Sequence, residues 1–347
     1  MVEEPDPDLE IARILDLLRV PDPTAPVETR VLARALNKIS SGHVVDLPPR
    51  RSSRVPALLV AACVLAILVV VVQLAVPSPA VATPAQLHYA NGEPNPASTL
   101  PSARDTLSDL AIRAEGLGVR GDGTVQYTES QGWSRFSDLD EQDSTLIPFA
   151  QRMWIAQDGS GRIEQRRSLP LHPDGTIDED TAILPEADSL DVLPEGSLED
   201  YGAVLSRDPS ALRSQLIEPG LEGCAESPAL MAHCLLASTE AVMNVSVLPG
   251  DSQAAFWRML AAEPDVRSLG ETTDRLGRPA IAITHPAVET GTDLTMLILL
   301  IDVHDGHYLG SEYITLRTDT PGLDTPAVTS FTTILRSRLV ATIGDTE

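Results

Sequence analysis

Lysine is nearly absent from these 347 residues: Lys38 stands alone beside 24 arginines. With Ala, Leu and Asp abundant, that bias reads as the codon usage of a GC-rich bacterial genome and says nothing about mechanism. Cysteine occurs three times and never as C-x-x-C, which removes thioredoxin-like redox chemistry and cysteine-based zinc sites. No G-x-S-x-G elbow marks a nucleophilic serine, and the acidic stretch 170–208 lacks the fixed odd-position spacing of an EF-hand. Basic charge is short as well, with 25 residues against 50 acidic ones. Nucleic acid binding depends on basic side chains displacing counterions from phosphates, so it is not expected. No catalytic residue, cofactor-binding residue or metal ligand is assigned, and the chain is not expected to be an enzyme.

What is present is one long apolar run. From Val55 to Val76 no side chain is charged, and at roughly 1.5 Å per residue those positions cross a hydrocarbon core of about 30 Å as a helix. Arg50, Arg51 and Arg54 precede it, and the next basic residue is Arg104, so the positive-inside rule puts the N-terminus in the cytoplasm. Ala80-Val81-Ala82 has the form of a signal-peptidase site and "VAAC" that of a lipoprotein box, but both ask for a short head and a short apolar core. The 54-residue head favours a retained anchor, giving a single-pass protein of the cell membrane with its C-terminal domain outside.

The chain divides into four segments: a cytoplasmic tail over 1–54, a transmembrane helix over 55–77, a Pro/Ala/Ser-rich linker over 78–102, extended and not packed, and an extracytoplasmic domain over 103–347. The tail holds two short amphipathic helices broken by "PDPTAP" and too little apolar bulk for its own core, so it either docks a cytoplasmic protein or remains a juxtamembrane tail. Beyond the span lie 41 acidic and 17 basic residues, an exterior that repels anionic headgroups. Its ligand is unknown. Cys224 and Cys234 form an even pair there and read as a disulfide, with two reduced buried thiols as the alternative.

Within the exterior domain, "ARDTLSDLAIRAEGL" spaces Leu107, Leu110, Ala111 and Ala114 for a helix that stops at Gly116. Alternating runs predict strands at "GTVQYTESQGW", "FAQRMWIAQDG" and "SGRIEQRRSL", the last two turning at Asp158-Gly159, in a sheet with one wet face. Helices are predicted at "DPSALRSQLI", "SPALMAHCLLASTEAVMN" and "DSQAAFWRMLAA", and five more strands end at "VTSFTTILRSRLV". Consecutive hairpins with interleaved helices predict an α+β fold of antiparallel sheet with packed helices.

Three features invite chemistry. Gly250-Asp251-Ser252 occurs around hydrolase serines, yet directly before an apolar-periodic run Asp or Ser serves as a helix N-cap. Asp302, His304 and His307 flank a two-residue turn at Asp305-Gly306 and would share a face suited to zinc. Trp133, Trp154 and Trp257 read as core.

Through "RMWIAQDGSGR", "DPSALRSQL" and "FWRMLAAEPDVRSLGETTDRLGRPAIAI" the chain resembles a group of actinobacterial single-pass membrane proteins. That group is similar in architecture to anti-sigma membrane regulators with RseB- or LolA-like exterior modules. The resemblance implies a regulatory role, or alternatively an anchored module for lipid or another hydrophobic ligand. The H-x-x-x-C-x-x-C of zinc-binding anti-sigma factors is missing before the membrane.

Overall fold

The computed structural model describes residues 83–95, 99–138, 143–167, 189–198, 200–217, 227–319 and 323–347. The predicted tail, the span, Arg50, Arg51, Arg54 and Cys224 lie outside them. Among the described residues no helix is long and apolar enough to cross a membrane.

Helix α1 (Arg104–Ala114) buries the four residues its spacing selected, Leu107, Leu110, Ala111 and Ala114. Three long strands come after it: β1 (Val125–Asp138), β2 (Asp143–Ile155) and β3 (Gly161–Arg167). The Asp158-Gly159 turn closes as expected, with Gly159 at φ +77° and the Asp158 carboxylate accepting from the Ser160 N–H. Edge strand β4 (Ser189–Leu193) and the short helix α2 (Tyr201–Val204) stand within the acidic stretch 170–208, whose proline-rich composition reads as a solvated loop. Helices α3 (Pro209–Ile217), α4 (Met231–Val245) and α5 (Gly250–Ala262) come next. Then run β5 (Arg267–Thr273), β6 (Pro279–Thr284), β7 (Val288–Thr290), β8 (Asp293–Asp302), β9 (Tyr308–Arg317) and β10 (Ala327–Val340).

The strands make one antiparallel sheet in the order β4-β3-β2-β1-β10-β9-β8-β6-β5, with β7 beside β8. The α+β class therefore holds. All helices of the main core lie on one face, where Trp257 and Leu260, both 0% exposed, meet Ile283, Leu297 and Ile301 of the sheet. Each such side chain contributes roughly 1.5–3 kcal/mol by leaving water.

The opposite face is treated differently along its width. Over β5, β6, β8 and β9 it is covered by residues 83–91, which pack as a strap where the sequence suggested an unpacked linker. Tyr89 is 7% exposed and joins Leu269, Ile298, Ile314 and Phe331 in a second apolar cluster. The strap also extends the sheet edge, since the Ala90 and Asn91 N–H groups donate to the Glu271 and Leu269 carbonyls at 3.0 and 2.9 Å. Prolines in this segment cost nothing because a strap needs no continuous ladder, and the composition that reads as linker is equally compatible with it.

The Gly250-Asp251-Ser252 triplet is structural, though not as a cap of its own helix. Helix α5 starts at Gly250 without a side-chain cap, and a Cβ there would lie 2.0 Å from the Ala114 carbonyl oxygen. Glycine is thus demanded by the close approach of α1. Asp251 instead accepts from the Gly116 N–H at 2.8 Å, closing the end of α1.

Candidate functional site

On the other half of that same face, over β10, β1, β2 and β3, register lines side chains up in rows, in which Tyr127, Glu129, Gln131 and Trp154 are buried and the arginines are at least partly exposed. One row reads Arg336, Glu129, Arg152, Glu164; the next reads Arg338, Tyr127, Trp154, Arg162; and beyond Glu129 lie Gln131, Ala150 and Arg166. Strict alternation in "TVQYTESQGW" and "GRIEQRR" produces this, because every second residue of a strand shares a face. A bulge in β10 opposite the Glu129/Ser130 step leaves Leu335 unpaired and keeps Arg336 and Phe331 on one side. Five arginines and two glutamates result, on a domain that is otherwise acidic.

Glu129, its side chain 6% exposed, accepts from Arg152 Nε at 2.9 Å and Arg336 Nη1 at 3.0 Å, so one carboxylate is gripped by two guanidiniums. Arg162 pairs with Glu164 and stacks over Trp154, 5.4 Å from the ring centroid. Tyr127 and Trp154 form the floor at 5.2 Å, and burial, then the Glu129 carboxylate, push the Tyr127 phenol above its ordinary value. Among the described residues Arg338 has no ion-pair partner, and its buried Nε has no acceptor.

Gln131 Nε2 is likewise buried without a hydrogen-bond partner, on a residue only 2% exposed. So is Trp133 Nε1, whose ring belongs to the strap-covered cluster and stacks on Phe331 at 6.5 Å. The small side chain of Ala150 leaves a depression of about 20 Å³ between Arg152, Glu164 and Arg166, room for one water.

The strap-covered half handles charge in the opposite way. Glu312 and Arg275 pair at 2.7 Å with side chains 0% and 3% exposed, Tyr89 donates its hydroxyl to Glu312 at 3.0 Å, and the guanidinium lies 4.3 Å from the Phe331 centroid. Burial pushes the Glu312 carboxyl up, opposed by Arg275.

On the helical face sits a histidine pair that spacing could not reveal, 52 residues apart in the chain. His285 Nε2 accepts from the Leu297 N–H at 3.1 Å and faces His233 Nδ1 at 3.0 Å, while His285 Nδ1 lies against the Pro286 carbonyl at 2.5 Å. The network assigns the His285 proton to Nδ1 and makes His233 Nδ1 the second donor. Burial, then His233, hold His285 down to about 3.

The zinc trio does not assemble. The turn between β8 and β9 runs over Val303–His307, longer than the expected two residues, and Asp302 Oδ1 is taken by the His304 N–H at 2.7 Å. Among the described residues no three His, Cys, Asp or Glu side chains are grouped to hold a metal. Trp257 is core, its indole donating to the Gly306 carbonyl, and Trp154 donates to the Asp345 carbonyl at 2.6 Å. Cys234 is buried and disulfide-bonded, and Cys224 lies outside the described residues. An open cavity of about 240 Å³ between Gln126, Asp200 and Val247 is smaller than the roughly 300–1,000 Å³ of small-molecule sites.

No family model matches the chain, and no curated protein matches it. Among solved structures it resembles MucB in complex with MucA(peri), at 13% identity and TM-score 0.28, over 70% of this chain and 58% of that one. It also resembles MucB alone, at 13% and 0.23 over 70% and 62%, and the MucA/MucB complex of Pseudomonas aeruginosa, at 13% and 0.23 over 69% and 59%. The chain thus spans less than two thirds of the proteins it matches.

Proposed function

We propose that this is a single-pass membrane regulator without enzymatic activity, whose exterior domain binds a partner while residues 1–54 meet a cytoplasmic protein. One observation carries the binding half: five arginines gathered on one sheet face in an exterior of 41 acidic and 17 basic residues. A surface kept only for solubility would follow the acidic trend. The membrane half is supported by the uncharged run from Val55 to Val76 and the arginines before it. The disulfide of Cys234 is assigned to Cys224, the other cysteine outside the span. A lipid-binding module is less well supported, because the face is guanidinium-lined and the 240 Å³ cavity is small.

Two measurements test this. An impermeant maleimide on intact cells should label Ser197→Cys and spare Ser40→Cys; labelling of the latter overturns the topology. A photo-crosslinking residue at Ala150 of the full-length protein, on the arginine face of β2, should trap a partner that is lost in Arg336→Glu/Arg338→Glu, and an adduct indifferent to that charge reversal overturns the binding face.

A further inference from the structure

We infer that residues 83–91 are a releasable latch between the anchor and the exterior sheet, an inference that rests on 55–77 being an anchor. The segment Thr83-Pro84-Ala85-Gln86-Leu87-His88-Tyr89-Ala90-Asn91 runs over the sheet with only Pro84 and Tyr89 of its nine residues buried. Beneath it the sheet is continuous core, every residue from Met296 to Ile301 of β8 being buried. Local opening comes first where few apolar groups are buried and most of the backbone meets water, so this segment opens well before the strands do.

The contacts are those of a fastening. Tyr89 donates its hydroxyl to Glu312 Oε2 at 3.0 Å, and Arg275, paired with Glu312 Oε1 at 2.7 Å, donates through Nη2 to the Ala85 carbonyl at 3.0 Å. One ion pair therefore holds the segment twice, at a side chain and at a carbonyl four residues earlier. Gln86 Nε2 adds a bond to the Pro326 carbonyl at 2.9 Å, and Asn91 Nδ2 one to the Ser268 carbonyl at 3.1 Å. Gly270, at φ +85° in the bulge of β5, makes the room: a Cβ there would lie 3.0 Å from Asn91 Cγ and 3.1 Å from Ala90 Cβ. The sheet edge is thus shaped for the segment, yet among the described residues only the Ala90 and Asn91 N–H groups continue the ladder of β5. Position gives the latch its use. Thr83 stands seven residues after Val76, the end of the uncharged run, at most about 25 Å of extended chain, so a displacement of the anchor pulls on this segment before it reaches any strand. Release takes the Tyr89 hydroxyl from Glu312 and bares apolar residues of the cluster that Tyr89 joins, Leu269 and Ile314 among them.

The test uses the full-length protein in mild detergent. In amide hydrogen exchange, Ala90 and Asn91 should exchange about tenfold or more faster than Met296–Ile301, and Tyr89→Phe should speed the segment's exchange about fivefold or more. One common rate for the segment and β8 means that it opens only with the whole domain, which overturns the latch. In fluorescence anisotropy, a labelled nine-residue peptide of the sequence 83–91 should bind the Tyr89→Ala protein about tenfold or more tighter than the wild type, whose own segment competes for the place. Equal binding to the two proteins, or binding to neither, overturns it as well. Tryptophan fluorescence verifies the fold, and if Tyr89→Ala does not fold, Tyr89→Phe replaces it in the same comparison with about fivefold expected. These readouts concern the segment alone, so their failure leaves the arginine face standing, whereas external labelling of Ser40→Cys removes the anchor and the latch with it.

Discussion

Two halves of one sheet face carry charge in opposite ways. Beneath the strap, Arg275 and Glu312 are dry, matched one to one, and bridged by Tyr89 and Phe331. On the other side of β10, around Glu129, arginines outnumber carboxylates and lie partly open. Both halves leave buried polar atoms without a hydrogen-bond partner, Arg275 Nε and Glu312 Oε1 beneath the strap and Gln131 Nε2 and Arg338 Nε beside it. What separates them is charge balance: one buried pair matched and fixing the strap, the other set with cations in excess.

The largest expected effect is Arg275→Met, which leaves Glu312 buried without its cation and should lower stability by about 3–5 kcal/mol in a denaturant titration. Tyr89→Phe removes one donor from the same carboxylate and should lose about 1–3 kcal/mol. If either variant instead matched the wild type, the strap-covered half would be no more fixed than the open half. Next comes a pH effect on the helical face. The His285 folded-state value of about 3 lies below its ordinary 6.5, so its contribution is present above pH 6.5 and lost as pH falls toward 3. The slope approaches about 1.4 kcal/mol per pH unit for one proton. Burial raises Glu240 and Glu312, whose contributions fall as pH rises, so the difference between wild type and His285→Gln isolates the imidazole. Smallest of all, Arg338→Ser should shift stability by under about 0.5 kcal/mol, as for a partly exposed charge, while weakening capture of the partner. A large stability loss there would make Arg338 structural and erase the contrast between the halves.

Much of the sheet was legible because alternation is a strong signal: β3 falls within the run that predicted it, β10 exceeds its run by Ala327 alone, β1 starts within its run and continues to Asp138, and α1 buries the residues its periodicity named. The expected wet face did not appear, since Val125–Trp133 of β1 are buried on both sides and Arg162–Arg166 of β3 are all half-buried, though "GRIEQRR" and "RSR" are the arginine rows seen edge-on. What they faced was not legible, since register joins residues as far apart as Trp133 and Ser330, 197 positions along the chain. Strand β4 was hidden because five residues between proline and acidic neighbours give no period to count. The strap was hidden because its hold is one tyrosine and a few edge hydrogen bonds. The histidine pair was hidden for a third reason: each histidine alone looks ordinary, and only tertiary packing sets their rings 4.7 Å apart.

One topological detail governs how such a molecule comes into being. Strand β10 sits in the sheet's middle, hydrogen-bonded to β1 on one side and β9 on the other, yet among the strands of this sheet the ribosome delivers it last. Until Ala327–Val340 emerges, the earlier strands amount to two separate ribbons with raw edges facing each other, and the closing clasp must thread between them. A premature stop near residue 327 would therefore do more harm than its few missing residues suggest, because it splits the domain down its centre and leaves both fragments prone to pair with strangers.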